Sequence, residues 1–175
     1  KGHVEDKADI KYKEGDDEGF LIKAMTTDRL MIFGTDGKFY TLDVKDLPGG
    51  RGHGEPIRLM IDLGNDQTAS AAFLYKGERR FLVASTAGYG FIVREEDCLS
   101  STRKGKQVLN VGDGAEACVC RPVEGDLVAS VGENKKFLVF DLSEMPEMTR
   151  GKGVVIQKFH DGGLSDAKTF SKKEG

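Results

Sequence analysis

A short basic turn containing glycine recurs three times along this chain at a near-constant interval. The copies read Arg51-Gly52-His53-Gly54, Arg103-Lys104-Gly105-Lys106 and Arg150-Gly151-Lys152-Gly153. A period of roughly 50 residues is typical of repeat architectures, and of propellers when each unit is made of strands. The interval therefore restricts the chain to folds in which one small supersecondary unit is stacked several times.

Each interval contains the same predicted order of strands and turns. A hairpin comes first, with apolar runs at 30–33, 81–84 and 127–129 and aromatic return strands at 39–42, 91–93 and 137–140. Asp36-Gly37 is a strong hairpin signal, because glycine adopts a positive φ without steric cost. A third strand is predicted after each basic turn, at 57–61, 108–111 and 154–159. A fourth strand closes two of the units, at 71–74 and 117–120. Four short strands are the content of one propeller blade.

These units predict an all-β, propeller-like fold in a single domain, residues 1–175. The repeat units are 25–74 and 75–123, with partial units at 1–24 and 124–175. In the first partial unit Lys1-Gly2-His3 takes the place of the basic turn, and strands follow at 10–13 and 20–24; the last one reaches a fourth strand at 167–170. Closed propellers hold roughly four to eight blades. With three hairpins we expect an open or truncated ring, and an excised piece of a longer chain.

The net charge of the chain does not by itself mark a nucleic-acid-binding protein. Lys and Arg number 26 against 29 Asp and Glu, which leaves a net charge of -3, whereas nucleic-acid-binding domains usually carry a basic excess. Basic and acidic turns alternate in each unit, so stacking predicts a positive rim apart from a negative one. Acids also precede the basic turns, at Asp43, Asp46, Glu95, Glu96, Asp97, Glu144 and Glu147.

Catalytic and metal-binding patterns are absent from the sequence, and we predict neither a catalytic nor a metal site. The run Glu95-Glu96-Asp97 is interpreted as a solvated loop rather than a pair of acid/base carboxylates. Cys98, Cys118 and Cys120 are interpreted as packed thiols, the last two sharing one face of a strand. Tyr12, Tyr40, Tyr75 and Tyr89 are interpreted as packing or rim residues. Without a signal peptide or a membrane-length apolar run, we expect a cytoplasmic protein with reduced cysteines.

The basic turns have two interpretations, solubility and phosphate contact. Their recurrence at one structural position favours phosphate contact, because solubility requires no fixed spacing. No base-reading helix or aromatic stacking platform is visible, so we predict binding to the backbone of duplex DNA. The candidate residues are Lys1, Arg51, His53, Arg103, Lys104, Lys106, Arg150 and Lys152. Lys135 and Lys136, with Arg79 and Arg80, are secondary candidates, for which ordinary hairpin-edge charge is the favoured interpretation.

Several longer runs extend this pattern to a known family. Phe39-Tyr40-Thr41-Leu42 with Arg51-Gly52-His53-Gly54-Glu55-Pro56, Ala84-Ser85-Thr86-Ala87-Gly88-Tyr89-Gly90-Phe91, and Met145-Pro146 before the third basic turn resemble the C-terminal domain of bacterial type IIA topoisomerase A subunits. Lys1-Gly2-His3 and Tyr12-Lys13-Glu14-Gly15-Asp16 are similar to the topoisomerase IV branch. The gyrase hallmark Q-R-R-G-G-K-G does not occur in the sequence.

The resemblance implies a β-pinwheel, in which neighbouring blades exchange strands. It also implies binding of the transported DNA segment and steering of substrate choice in decatenation and supercoil relaxation. The implied partners are duplex DNA, the ATPase subunit of topoisomerase IV and the rest of its A subunit, in the nucleoid region of the bacterial cytoplasm. The resemblance places ATP, magnesium and the catalytic residues in other parts of the parent enzyme. A gyrase A DNA-wrapping domain and a propeller that binds proteins remain the alternatives, and the latter predicts salt-insensitive partner binding.

Overall fold

The computed structural model describes residues 7–13, 19–25, 28–43, 61, 63–64, 67–112, 114–157 and 162–171, the first two ranges as backbone only. The strands are β1 (Lys7–Lys13), β2 (Gly19–Met25), β3 (Arg29–Gly34), β4 (Lys38–Asp43), β5 (Ala69–Leu74), β6 (Arg80–Ser85), β7 (Tyr89–Arg94), β8 (Lys106–Gln107), β9 (Ala117–Pro122), β10 (Leu127–Gly132), β11 (Phe137–Asp141), β12 (Val154–Val155) and β13 (Leu164–Phe170). Two short 3-10 helices cover Glu95–Cys98 and Leu142–Glu144. None of the helices in these ranges is long and apolar enough to cross a membrane.

The strands form three blades and one small sheet, as the repeat predicted. We call the sheet β5-β3-β4-β8 the first blade, β9-β6-β7-β12 the second blade and β13-β10-β11 the third blade. The centre of each blade is a predicted hairpin, and the predicted fourth strand pairs with its first strand. The remaining sheet, β1-β2, contains the strands predicted at 10–13 and 20–24. The all-β propeller-like fold is therefore confirmed, and no closed ring forms among the described residues.

The third strand of a unit leaves its own hairpin and joins the preceding blade. Strand β8 pairs with β4 of the first blade, and β12 pairs with β7 of the second blade. The strand exchange expected of a pinwheel is therefore present. The strand predicted at 108–111 was wrong in position, since β8 ends at Gln107, and the one predicted at 154–159 was wrong in extent, since β12 ends at Val155. Both strands end because the chain then bends inward, where Val108 and Leu109 donate their backbone N–H groups to the carbonyl of Gly37.

The last strand of each blade, which is β5, β9 or β13, carries a β-bulge at the same place. Ser70, Cys118 and Ser165 are the extra residues, because the register of β5, β9 and β13 shifts around each of them. The bulge overturns the prediction that Cys118 and Cys120 share a face, since one extra residue breaks the alternation of side chains. Cys118 packs against the apolar layer between the second and third blades, and Cys120 against the layer between the first and second.

Two layers of the hydrophobic core lie between blades, and a third, with Ile61 and Leu63, covers the other face of the first blade. Strand β6 is buried on both faces: Phe81 and Val83 face the first blade, whereas Leu82 and Ala84 face the third. The third blade is covered on one face only. Phe137 pairs with Val131 as Phe39 pairs with Phe33, yet Phe137 is 76% exposed and Phe39 is fully buried. The face of the third blade that carries Phe137 is therefore left exposed, whereas the matching face of the first blade is core.

We predict that alanine at Gly153 will loosen the exchanged strand β12. Gly153 has a φ of 83°, and a Cβ atom there would lie 2.0 Å from the carbonyl oxygen of Gly90. Gly153→Ala should lower the free energy of unfolding by about 2 kcal/mol or more, measured by urea denaturation.

The matched control is Gly112→Ala. A Cβ atom at Gly112 meets nothing within 4 Å, so this substitution should change stability by less than about 0.5 kcal/mol. Equal effects of the two substitutions would contradict the close approach at Gly153, because both replace the same residue type.

Candidate nucleic-acid interface

The second and third basic turns are positioned by one glycine each. Gly105 and Gly153 directly precede the exchanged strands β8 and β12, and both have a positive φ, of 75° and 83°. A Cβ atom at Gly105 would lie 2.9 Å from the Phe39 carbonyl oxygen, which is the counterpart of the contact at Gly153. Only glycine fits this close approach to the preceding hairpin. The second and third basic turns therefore lie against the blade before their own.

The glycine contact changes how the basic turns align. The sequence aligned their arginines, Arg103 with Arg150. The strand register makes Gly105 equivalent to Gly153, because Lys106 pairs with Phe39 as Val154 pairs with Gly90. Lys104 is then equivalent to Lys152, one residue before the glycine. The two lysines, rather than the two arginines, are the recurring cations.

Backbone hydrogen bonds connect the third basic turn to the segment that follows the second. Gly151 donates to the Val108 carbonyl at 2.9 Å, and Asn110 donates to the Gly151 carbonyl at 2.8 Å. The predicted cations of these two turns are all exposed, namely Arg103, Lys104, Lys106, Arg150 and Lys152. Lys106 also donates from Nζ to the backbone carbonyl of Asp97. Their role in binding DNA stays a prediction. Lys1, Arg51 and His53 lie outside the described residues.

Asp43, Glu96 and Glu147, which precede basic turns, pair with arginines on strands. Arg94 donates to Glu147 at 2.6 Å and lies 3.7 Å from Glu96, and Arg80 lies 3.5 Å from Glu147. The hydrogen bond from Arg94 lowers the pKa of Glu147. Asp43 lies 3.8 Å from Arg29, its cross-strand partner. Within the described ranges, Lys104, Arg150 and Lys152 form no ion pair.

The prediction that Glu95 belongs to a solvated loop is wrong. Glu95 is fully buried, and its carboxylate accepts hydrogen bonds from the backbone N–H groups of Lys76 and Gly77 at 3.1 and 2.7 Å. Arg79 donates from Nη2 to the same carboxylate at 2.7 Å, and also to the Leu74 carbonyl at 2.7 Å. The charge run contains one buried residue because the 3-10 helix turns Glu95 inward and leaves Glu96 exposed.

The Arg79–Glu95 pair connects the first two blades. The Arg79 guanidinium lies 5.4 Å from the ring centroid of Phe73 and 5.0 Å from that of Phe81, and these rings belong to the first and second blades. Arg79 is therefore an inter-blade residue and not the hairpin-edge charge that the sequence suggested. Burial raises the pKa of Glu95, but the hydrogen bonds from Arg79, Lys76 and Gly77 outweigh it and the net pKa is lowered.

The sequence indicated Lys136 as a candidate and Tyr89 as a packing or rim residue, but it did not show that both share one hairpin position with Lys38. Lys38, Tyr89 and Lys136 each stand one residue before the first paired residue of the return strand. Lys38 pairs with Gln107 and Tyr89 pairs with Val155, so each lies opposite the strand that a basic turn supplies. Lys135 has a positive φ of 66°, and Gly37 and Gly88, at the corresponding turn positions, have positive φ values of 81° and 88°. In the sequence, this position could have been found because it recurs directly after the hairpin turn of each unit.

The surroundings of the three cysteines agree with their interpretation as packed thiols. The three cysteines are free, and burial raises the pKa of Cys98 and of Cys118 to about 12. Such thiols stay protonated near neutral pH and are poor nucleophiles. In the part of the chain that is described, no group of three or more His, Cys, Asp or Glu residues is arranged to hold a metal ion.

This chain is similar to known proteins in both sequence and fold. The family model described as DNA gyrase C-terminal domain, beta-propeller, matches residues 28–74, 80–119 and 133–164. The A subunit of DNA topoisomerase 4 from Caulobacter vibrioides is 47% identical over all of this chain and 23% of the relative, and that from Rickettsia bellii is 43% identical over all of this chain and 24% of the relative. The chain thus spans about a quarter of the length of these curated relatives.

A solved structure, that of the E. coli ParC C-terminal domain, superposes with a TM-score of 0.81 at 25% identity. The superposition covers 98% of this chain and 74% of that one. The likeness therefore includes the whole arc of blades described above.

We predict that Glu95→Ala will strongly destabilise the protein. The substitution leaves the Arg79 guanidinium and two backbone N–H groups without their acceptor between the blades. Breaking such a buried pair should cost about 3 kcal/mol in urea denaturation. Glu96→Ala is the control: it removes an exposed carboxylate 3.7 Å from Arg94 and should cost less than about 1 kcal/mol. Similar costs for the two neighbours would refute the assigned role of Glu95.

The lowered pKa of Glu95 predicts a loss of stability in acid. A carboxyl group with a depressed pKa in the folded state stabilises the fold above its unfolded-state value, near 4.5, and this contribution is lost as the pH falls through the folded-state pKa. Between pH 5 and about pH 3, the free energy of unfolding should therefore fall more steeply for the unsubstituted chain than for Glu95→Gln. Parallel pH profiles would show that Glu95 does not titrate with unfolding.

Proposed function

Because the chain belongs to the family of DNA gyrase C-terminal, beta-propeller domains, we propose that it binds duplex DNA through the phosphate backbone. The observation that supports the proposal is that backbone hydrogen bonds join the third basic turn, at Gly151, to Val108 in the segment that follows the second basic turn. Among the described residues, Glu96 and Glu147 pair with strand arginines and not with Lys104, Arg150 or Lys152. Cationic side chains on such a surface would release counterions from DNA and add affinity that does not depend on sequence.

Lys104 and Lys152 are the central contacts in this proposal. They occupy equivalent places beside the two close-approach glycines, so they would meet the duplex in the same way on successive blades. Arg103, Lys106 and Arg150 flank them on the same turns. Lys38 and Lys136 extend the cationic surface at the hairpin position. Lys1, Arg51, His53 and Lys135 complete the proposed DNA-binding set from sequence.

We further propose that the chain serves topoisomerase IV as the C-terminal domain of its A subunit. The curated relatives that match all of it are named as A subunits of DNA topoisomerase 4. In this role it would hold the transported DNA segment in the bacterial cytoplasm and steer substrate choice in decatenation and relaxation. The catalytic parts that cut and pass DNA, and the sites for ATP and magnesium, would lie in the ATPase subunit and in the remainder of the A subunit.

Charge reversal on the third basic turn should weaken DNA binding. Lys152→Glu replaces an attraction to phosphate by a repulsion, and we expect a roughly three- to tenfold loss of affinity with a shallower salt dependence, by about one contact. Fluorescence anisotropy with a labelled duplex at two salt concentrations measures both. Adding Lys104→Glu should weaken binding further.

Lys168→Glu is the matched control for this charge reversal. Lys168 is exposed in the middle of β13 and pairs with Ala129, away from the basic turns. The substitution makes the same change in net charge and should reduce affinity much less. Equal losses for Lys152→Glu and Lys168→Glu would attribute binding to net charge alone.

Two unrelated duplexes should bind with similar affinity, because phosphate contacts carry no sequence information. A strong preference for one duplex would contradict backbone binding. Complete absence of DNA affinity, together with salt-insensitive capture of a protein partner, would instead support the scaffold alternative.

A further inference from the structure

Lys152 lies against an aromatic ring of the preceding blade. Its Nζ atom is 4.0 Å from the centroid of the Tyr89 ring, well within the roughly 6 Å over which an ammonium group is attracted to a ring face. Tyr89 is half-buried at the start of β7, whereas Lys152 is exposed. The contact joins the third basic turn to the hairpin of the second blade.

The backbones of both residues are held by the exchanged strand. Tyr89 pairs with Val155, and Gly90 pairs with Val154, in the β7–β12 ladder. Lys152 precedes Gly153, whose backbone passes directly over the carbonyl of Gly90. The ring and the ammonium group therefore meet because the fold brings their main chains together.

The position of Tyr89 holds a lysine in the other two hairpins. Lys38 and Lys136 are its counterparts in the first and third blades. In the second blade, a ring stands where a second cation would otherwise stand beside a basic turn. An aromatic ring at this place supplies no cation of its own, but it contacts the cation of the neighbouring turn, Lys152.

Resting on the proposed DNA-binding function, we propose that Tyr89 is a positioning residue that holds Lys152 ready for phosphate contact. A ring face attracts the ammonium group but leaves its positive charge in place. A carboxylate, by contrast, would neutralise that charge in an ion pair. An ammonium group has three N–H donors, and contact with one ring face leaves donors available for phosphate oxygens. Ordering the side chain before DNA arrives reduces the conformational entropy lost on binding.

The test is a double-mutant cycle on DNA affinity at low salt. Tyr89→Leu removes the ring face and keeps apolar bulk, whereas Tyr89→Phe keeps the ring and removes only the hydroxyl. We expect Tyr89→Leu to weaken binding of a duplex about two- to fivefold and Tyr89→Phe to bind like the unsubstituted chain. In a Lys152→Met background, Tyr89→Leu should cause no further loss.

Salt dependence separates positioning from direct contact. Lys152→Met should reduce the slope of log affinity against log salt by about 0.9, because one phosphate contact is lost. Tyr89→Leu should change that slope much less, since Lys152 still reaches the phosphate. Thermal unfolding of Tyr89→Leu is recorded alongside, and an unchanged midpoint shows that the β7–β12 pairing is intact.

Three results would overturn the inference. Unchanged or tighter DNA binding by Tyr89→Leu would show that the ring does not assist Lys152. An equal loss in the Lys152→Met background would show that Tyr89 acts independently of Lys152. If the unsubstituted chain has no DNA affinity, the proposed function fails and the role of Tyr89 fails with it. If the unsubstituted chain binds DNA and Tyr89→Leu does not change the affinity, only this inference is rejected.

Discussion

The close approach of a glycine to the preceding hairpin is the constraint on which the architecture depends. A two-residue strand can complete a blade only if the chain before it passes within contact distance of the return strand, and Gly105 and Gly153 allow this. The same glycines place Lys104 and Lys152 at the junction of two blades. Blade closure and presentation of the basic turns therefore have one physical cause, and a side chain at the glycine would disturb both.

The buried Glu95–Arg79 pair has a different role in the same joint. A carboxylate without exposure to water is tolerable only when its hydrogen bonds are satisfied, and Glu95 accepts them from two backbone groups and a guanidinium. The arginine also lies over Phe73 and Phe81. Polar and apolar contacts thus fix the same inter-blade surface, which holds the 3-10 helix before the second basic turn in place.

The hairpins were predictable from sequence, whereas the contacts between units were not. The apolar runs and turn glycines are local signals, so β3, β4, β6 and β7 were found near their observed places. Exchange of β8 and β12 was available only from the family resemblance, since local patterns do not specify a distant strand partner. The burial of Glu95 was hidden because its neighbours are also acidic. The bulge at Cys118 was hidden because a single extra residue leaves no compositional mark.

The repeat in the sequence and the blade in the structure have different boundaries. One sequence unit supplies a hairpin and a fourth strand to its own sheet and a short strand to the preceding sheet. Duplication or loss of one unit during evolution would therefore leave each internal sheet with four strands. Proteins of this architecture can lengthen or shorten their arc in steps of roughly 50 residues without exposing a new sheet edge inside it.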